Sequence, residues 1–299
     1  MKNVNVPAMN VPAVNLLSAA ILAVALAVLA PAASAQDVAP GLDMTRSVDW
    51  AAGRVVMEVR RALDTTTPSL VKAKADAETD LDQRIPGILS QAAGPVTVDS
   101  SHLLSDYFSS DPGLAAKIND AAQRAQRTDL FLSQDFSTLV ARYVLPFFGD
   151  QGIAAPFFPS QATPIRRRLG DVATRPYTGL LIFAQGMLPA AGSTRMAQAR
   201  PALFPRIWDE QMNLVLDRSM CTPESLARWG MVGYSQSVDD PAADLRVGAV
   251  PLRLAARGVF GDKDTDIVIS MDGARQLLAI PQNIALLQQG RILIVYDKL

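Results

Sequence analysis

One cysteine and one histidine in 299 residues set the first limits. Cys221 has no second cysteine to pair with, so even in an oxidising compartment the fold must stand on its apolar core. It reads as a buried apolar residue, with an intermolecular bridge as the alternative. A zinc site built on histidine and cysteine ligands is out of reach with one of each. His102 is the only imidazole that a hydrolase triad could use as its base, yet no Gly-x-Ser-x-Gly turn presents a nucleophile, so His102 reads as a structural side chain. Glycine-rich phosphate loops of either common spacing are also missing, which removes support for nucleotide use. Nor is there an excess of one charge: 28 Lys and Arg against 29 Asp and Glu give a net charge of −1 and a pI near 5.9. That balance supplies no basic face for nucleic acid and no polybasic tail for a membrane surface. With only 6% aromatic residues, the core is expected to consist of small aliphatic side chains around anchors such as Trp50, Trp208 and Trp229.

What is present begins with a leader. Lys2 is the only charge before Asp37, Leu16 to Ala30 is apolar apart from Ser18, and Ala33 and Ala35 fit a signal-peptidase site before Gln36. Residues 1–35 therefore read as a signal peptide cleaved after Ala35, with retention as an anchor helix as the alternative. Cleavage would leave no integral membrane span. The only cysteine lies far from the leader, which excludes a lipid anchor on cysteine there.

Along the mature chain, Val48 to Leu63 alternates, with Val55, Met57, Val59 and Leu63 on one face and Arg54, Glu58 and Arg60 on the other, as in a half-buried strand. From Leu70 the period turns helical through Ala73, Ala77, Leu81, Ile85 and Ile88, with Ser69 as cap and Pro86 expected to kink or end the helix. Pro95 to Asp99 is a short strand candidate. Asp111-Pro112 opens a helix running from Leu114 to about Gln126, and Thr138 to Phe148 is strand-like. Residues 151–176, rich in Pro, Gly, Ala and Gln, read as a linker.

The second half opens on a central strand within Tyr177 to Gly186. A hairpin follows at Phe204–Asp209 and Leu214–Leu216, then a helix capped by Thr222. Further strands are placed at Met231–Tyr234 and Leu252–Phe260, separated by an Asp-rich connection from Ser237 to Leu245, and Arg291 to Tyr296 closes the fold. Without a strict βαβ rhythm, the fold class is α+β: two mixed α/β-layer domains after the leader, spanning 36–150 and 177–299.

The most site-like stretch is Gly258 to Gly273, where Asp262, Asp264 and Asp266 have the first three spacings of a calcium loop. Such a loop requires glycine at its sixth position and a carboxylate at its twelfth, and this chain has Ile267 and Gly273 there. The stretch reads instead as a hairpin followed by a helix capped by Ser270 or Asp272. A ligand- or calcium-binding module using the three aspartates remains the alternative. Ser69-Leu-Val-Lys72 matches the Ser-x-x-Lys pattern of penicillin-binding enzymes and Ser105-Asp106 part of their second motif, but no lysine here sits in the third. No catalytic residue, cofactor or metal is assigned.

Tyr177-Thr-Gly, Pro205-Arg-Ile-Trp-Asp-Glu210, Val232-Gly-Tyr234, Arg246-Val-Gly248, Thr265-Asp-Ile-Val-Ile-Ser270 and Arg291-Ile-Leu-Ile-Val295 together resemble a group of exported bacterial proteins. The front half of that group is similar to the N-terminal domain of flagellar assembly protein T and to related small outer-membrane lipoproteins. In this chain Met212 stands where the hairpin would usually have glycine. The resemblance implies a non-enzymatic scaffold or assembly component of the periplasm or outer membrane, working through envelope proteins or self-association, with a flagellar ring as the best-known setting. The candidate interface is Arg166, Arg167, Arg168 and the strand from Tyr177.

Overall fold

The computed structural model describes residues 41–168 and 172–298, apart from the side chain of residue 242. The leader and the cleavage point after Ala35 lie outside the described residues.

The alternation in the front half builds an antiparallel sheet. The stretch read as one strand from Val48 is two: β1 (Leu42–Asp49) and β2 (Arg54–Ala62) pair in register from Leu42↔Arg61 to Asp49↔Arg54. Residues 50–53 turn the chain, with Gly53 at φ +64, where a Cβ would be strained. Next come α1 (Leu70–Ala93), α2 (Asp106–Ser110), α3 (Pro112–Gln123), β3 (Gln126–Leu132) and β4 (Thr138–Pro146). The strand order is β1-β2-β4-β3. Val55, Met57 and Val59 of β2 are buried together with Ala73, Ala77 and Leu81 of α1, so the alternating face of the strand meets the helical stripe. On the opposite face Glu58 accepts from Arg60 and from Arg142 across the sheet, and these hydrogen bonds hold its carboxyl below the usual range.

Ser69 caps α1 by accepting from the Lys72 N–H at 3.4 Å, and Asp111 caps α3 through the Leu114 N–H at 2.9 Å. The helix from Asp111 ends at Gln123, earlier than expected, because β3 begins at Gln126. Pro86 does not end α1 early: the helix continues to Ala93. Residues 95–99 form only a bridge, Thr97↔Leu103. Proline inside a helix is about 3 kcal/mol worse than alanine, while alanine adds about 1 kcal/mol of unfolded-chain freedom. Pro86→Ala should therefore stabilise the protein by about 2 kcal/mol, read as a rise in the urea midpoint at constant slope.

The second half holds β5 (Leu180–Phe183), β6 (Leu188–Pro189), β7 (Met196–Ala197), β8 (Ile207–Asp209) and β9 (Leu214–Leu216). They are followed by α4 (Pro223–Trp229), β10 (Gly233–Ser235), α5 (Pro241–Val247), β11 (Leu252–Ala255) and β12 (Gly258–Phe260). The chain ends with β13 (Asp266–Ile269), α6 (Met271–Leu278), α7 (Pro281–Gln288) and β14 (Ile292–Val295). Two four-stranded sheets result, β10-β14-β5-β11 and β12-β13-β8-β9. The second of these mixes parallel and antiparallel pairs, whereas every pair in the first is parallel. Parallel strands need cover on both faces. Leu180, Ile182, Ile292 and Ile294 accordingly face the main core, while Leu181, Leu293 and Val295 meet Ala243 and Val247 of α5. That helix begins within the stretch read as an Asp-rich connection from Ser237 to Leu245 and runs two residues past it.

The run Leu252–Phe260 divides for a related reason: Ala256 N–H still bonds to Phe183 O in one sheet, but Arg257 N–H bonds to Val268 O in the other. The Phe204–Leu216 hairpin forms as read, and Met212 takes the φ of +59 that glycine would take.

The apolar core is continuous through both halves. Backbone bonds join them directly: Leu203 and Phe204 N–H donate to Thr97 and Val98 O, Lys263 N–H to Ser100 O, and Gly149 N–H to Ala227 O at 2.7 Å. The segment read as a linker is packed at its start, with Ile153, Ala154 and Phe157 buried and the Phe157 ring edge-on to Tyr107 and tilted against Phe204. The overall class is α+β.

Candidate functional site

Where the halves meet, a cleft of about 360 Å³ opens between residues 50–53 and 146–149 on one side and residues 227–234 with Arg246 on the other. The front wall follows from the β1–β2 turn and the end of β4, which bring Trp50 against Phe147 at 5.0 Å between ring centres, with Phe148 edge-on beyond it. Gly230, just after α4, makes the fit possible. Its φ is +78, and a Cβ there would lie 2.2 Å from the Phe148 ring.

Arg246 is a buried part of the lining. Its guanidinium donates from Nε to Gly290 O at 3.0 Å, from Nη1 to Trp229 O at 2.9 Å and from Nη2 to Gly230 O at 2.9 Å. Trp229 O and Gly230 O lie at the C-terminal end of α4, and Gly290 O just beyond α7, where carbonyls lack intrahelical donors. Gly233 leaves room for this: a Cβ there would sit 2.8 Å from Arg246 Cδ. Arg246 is 9% exposed, and burial pushes its pKa from 12.5 down to about 9. The Trp229 ring lies 4.4 Å from the Arg228 guanidinium and 5.2 Å from that of Arg246, within cation–π range of both. Tyr234 spends its hydroxyl on Ala202, donating to the carbonyl and accepting from the N–H, and burial pushes its pKa up. Among the described residues no Asp or Glu lines the cleft.

The residues singled out from sequence lie elsewhere and do not converge. Arg166 and Arg167 are exposed, Arg167 donating to Ala279 O. Arg168 donates to buried Asp209 at 3.0 Å, and its N–H to Leu278 O. Burial pushes Asp209 up, but hydrogen bonds from Asn213, Arg168 and Gln211 outweigh it and hold the carboxyl below its usual value. Arg168 is thus tied to the second half. The strand after Tyr177 is internal, with β14 and β11 on either side, so it presents no open edge; the expectation that it pairs with another chain is corrected on that ground. Tyr177 itself donates its N–H to Asn283 and its hydroxyl to Gln276, both at 3.0 Å.

Asp264 and Asp266 are each engaged within the fold. Asp264 takes a bidentate pair from Arg195 at 2.7 and 2.8 Å, and Asp266 accepts from Arg206 N–H and Trp208 Nε1, both at 3.0 Å. The carboxyl of Asp266 is pushed up by burial. Among the described residues, no group of three or more His, Cys, Asp or Glu could hold a metal ion. His102 is exposed and bonds to Asp99 at 3.0 Å. Cys221 is buried, and burial pushes its thiol up to about 12.

Sequence reasoning missed the cleft. Its one local signal is Arg246 itself, on the same helical face as buried Ala243 and next to buried Val247, where a long cation has no place unless something partners it.

Helices and sheets in two regions joined by one core define a two-domain α+β protein. Residues 41–150 match the family described as Treponema pallidum Tp0624, N-terminal domain, and residues 179–298 match that described as Treponema pallidum Tp0624, second domain. The chain is thus similar to the N-terminal and second domains of Tp0624, matched in that order. Neither description names a flagellar protein, and no curated protein matches the chain. No helix among the described residues is long and apolar enough to cross a membrane.

Proposed function

We propose that this protein is exported and acts in the cell envelope as a non-enzymatic assembly component, through contacts with other proteins. The observation that carries the reading is the outer edge of the front sheet. Among the described residues strand β3 is paired only to β4, and Phe131 on it and Phe136 in the following turn are 41% and 59% exposed. Edge strands are natural templates for a further chain, and natural proteins usually blunt them with charge and bulges. The first part of β3 is blunted in that way, by Arg127, Asp129 and a bulge between them. Leu130 to Leu132 is not. The resemblance to the N-terminal domain of flagellar assembly protein T supports a ring-type envelope assembly as the setting. The leader supports export, and N-terminal sequencing of the cell-envelope form should give Gln36 as the first residue; a form that keeps Met1 would sink the export reading.

The double change Phe131→Glu, Phe136→Asn tests the edge. Glutamate at 131 would lie near Arg142, which now stacks on Phe131 at 5.5 Å, and asparagine tolerates the φ of +56 at Phe136. Stability should change by less than about 1 kcal/mol. Recovery of cross-linked partners from envelopes should fall by about tenfold, as expected when aromatic anchors are lost. Unchanged recovery would remove β3 from the interface.

A further inference from the structure

Among the described residues the cleft is lined by two guanidinium groups and no carboxylate. Arg246 carries five N–H donors, of which three are spent on the carbonyls of Trp229, Gly230 and Gly290. One N–H on each terminal nitrogen remains. Apart from burial, the groups acting on its charge are Tyr234 and Cys221, both pushed up and so neutral at physiological pH. Carbonyl dipoles satisfy its hydrogen bonds, but they leave the charge without an anion in a place where burial penalises it. Arg228, exposed and within 4.4 Å of the Trp229 ring centre, adds a second positive charge to the lining. The rest of the lining is aromatic or small: Trp50, Phe148 and Trp229 give surface, while Ala51, Ala52 and Gly149 leave space.

We propose that this cleft is a binding site for a carboxylate carried on an apolar or aromatic stem. A carboxylate supplies the acceptor oxygens and the negative charge that Arg246, with an N–H left on each terminal nitrogen, lacks. A phosphate would strand its other oxygens against the aromatic walls. The volume is at the lower end of the range for small-ligand sites, about 300–1,000 Å³, so only a short stem fits. The acid can come as a free small molecule or as the C-terminus of a peptide. The site stands independently of the β3 edge.

Trp50 and Trp229 line the cleft and Trp208 does not, so tryptophan fluorescence of the full mature chain reads occupancy. The probes are 4-phenylbutanoate and its carboxamide, and a tripeptide ending in phenylalanine with a free or amidated terminus. A saturable change is expected with the acids, and binding about tenfold weaker with the amides, the cost of losing a charge-assisted hydrogen bond. Tighter binding of the peptide acid assigns the source to a chain terminus, and of phenylbutanoate to a small molecule; either supports the site. Arg246 is left in place because it also ties two helix ends. Ala52→Phe, at an exposed turn position, narrows the cleft, and Arg228→Gln removes the second charge. Both should weaken acid binding while leaving the unfolding curve in place. No saturable change at millimolar acid, equal binding of acid and amide, or unaltered binding in both variants would overturn the proposal.

Discussion

Gly230→Ala should destabilise the protein by about 3–5 kcal/mol, combining backbone strain with overpacking. At φ +78 and ψ 179 the position lies in a region that side chains other than glycine's rarely adopt. The added Cβ would also meet the Phe148 ring at 2.2 Å, at the point where the front half seats on the second. Urea unfolding measures the loss. The contribution of the contact is separable from that of the backbone, because Phe148→Leu in the alanine background should return about 1–2 kcal/mol of it. If Gly230→Ala unfolds at the same midpoint as the parent, the two halves do not meet as described.

Replacing Arg246 by methionine should cost about 3 kcal/mol. The change keeps the length of the side chain but removes three donors, leaving the carbonyls of Trp229, Gly230 and Gly290 without them, at about 1–3 kcal/mol each when buried. Against this, a charge is no longer buried. Burial disfavours the charged form of Arg246, so its removal offsets part of the cost and the net loss is smaller than the sum of three orphaned carbonyls. A urea midpoint lower by about 1 M is expected. An equal or higher midpoint would mean that burying the charge outweighs the bonds it makes.

The parts of this fold that sequence reveals are those whose causes are local. Gly258 to Gly273 is read correctly as a hairpin and a helix start: β12 and β13 pair through the aspartate turn, and Ser270 caps α6 by accepting from Gly273 N–H. Ser69, Asp111 and Thr222 are legible as caps for the same reason, since each bonds to a backbone N–H three residues on. Where the reading fails, distant residues decide. The turn after β1 lacks an Asn-Gly signal, so alternation from β1 into β2 looks like one strand until the pairing of Val48 with Val55 is seen. Leu252–Phe260 is apolar enough for one strand, and only its partners, Phe183 on one side and Val268 on the other, divide it. The cleft is the extreme case. It needs residues 50–53, 146–149, 227–234 and 246 in one place, and no spacing along the chain encodes that. Arg166 to Arg168 shows the converse: a charge run that looks like one surface feature, in which Arg168 is committed to Asp209.

The claim that function lies in protein contact at the β3 edge is tested most directly by site-specific photo-crosslinking in intact cells. A photoreactive phenylalanine analogue is placed at Phe131 or Phe136, and, for comparison, at Asp76 on the exposed face of α1. The account predicts discrete adducts, to another envelope protein or to a second copy of this chain, from the two phenylalanine positions and none from Asp76. The same diffuse background from all three positions would contradict it.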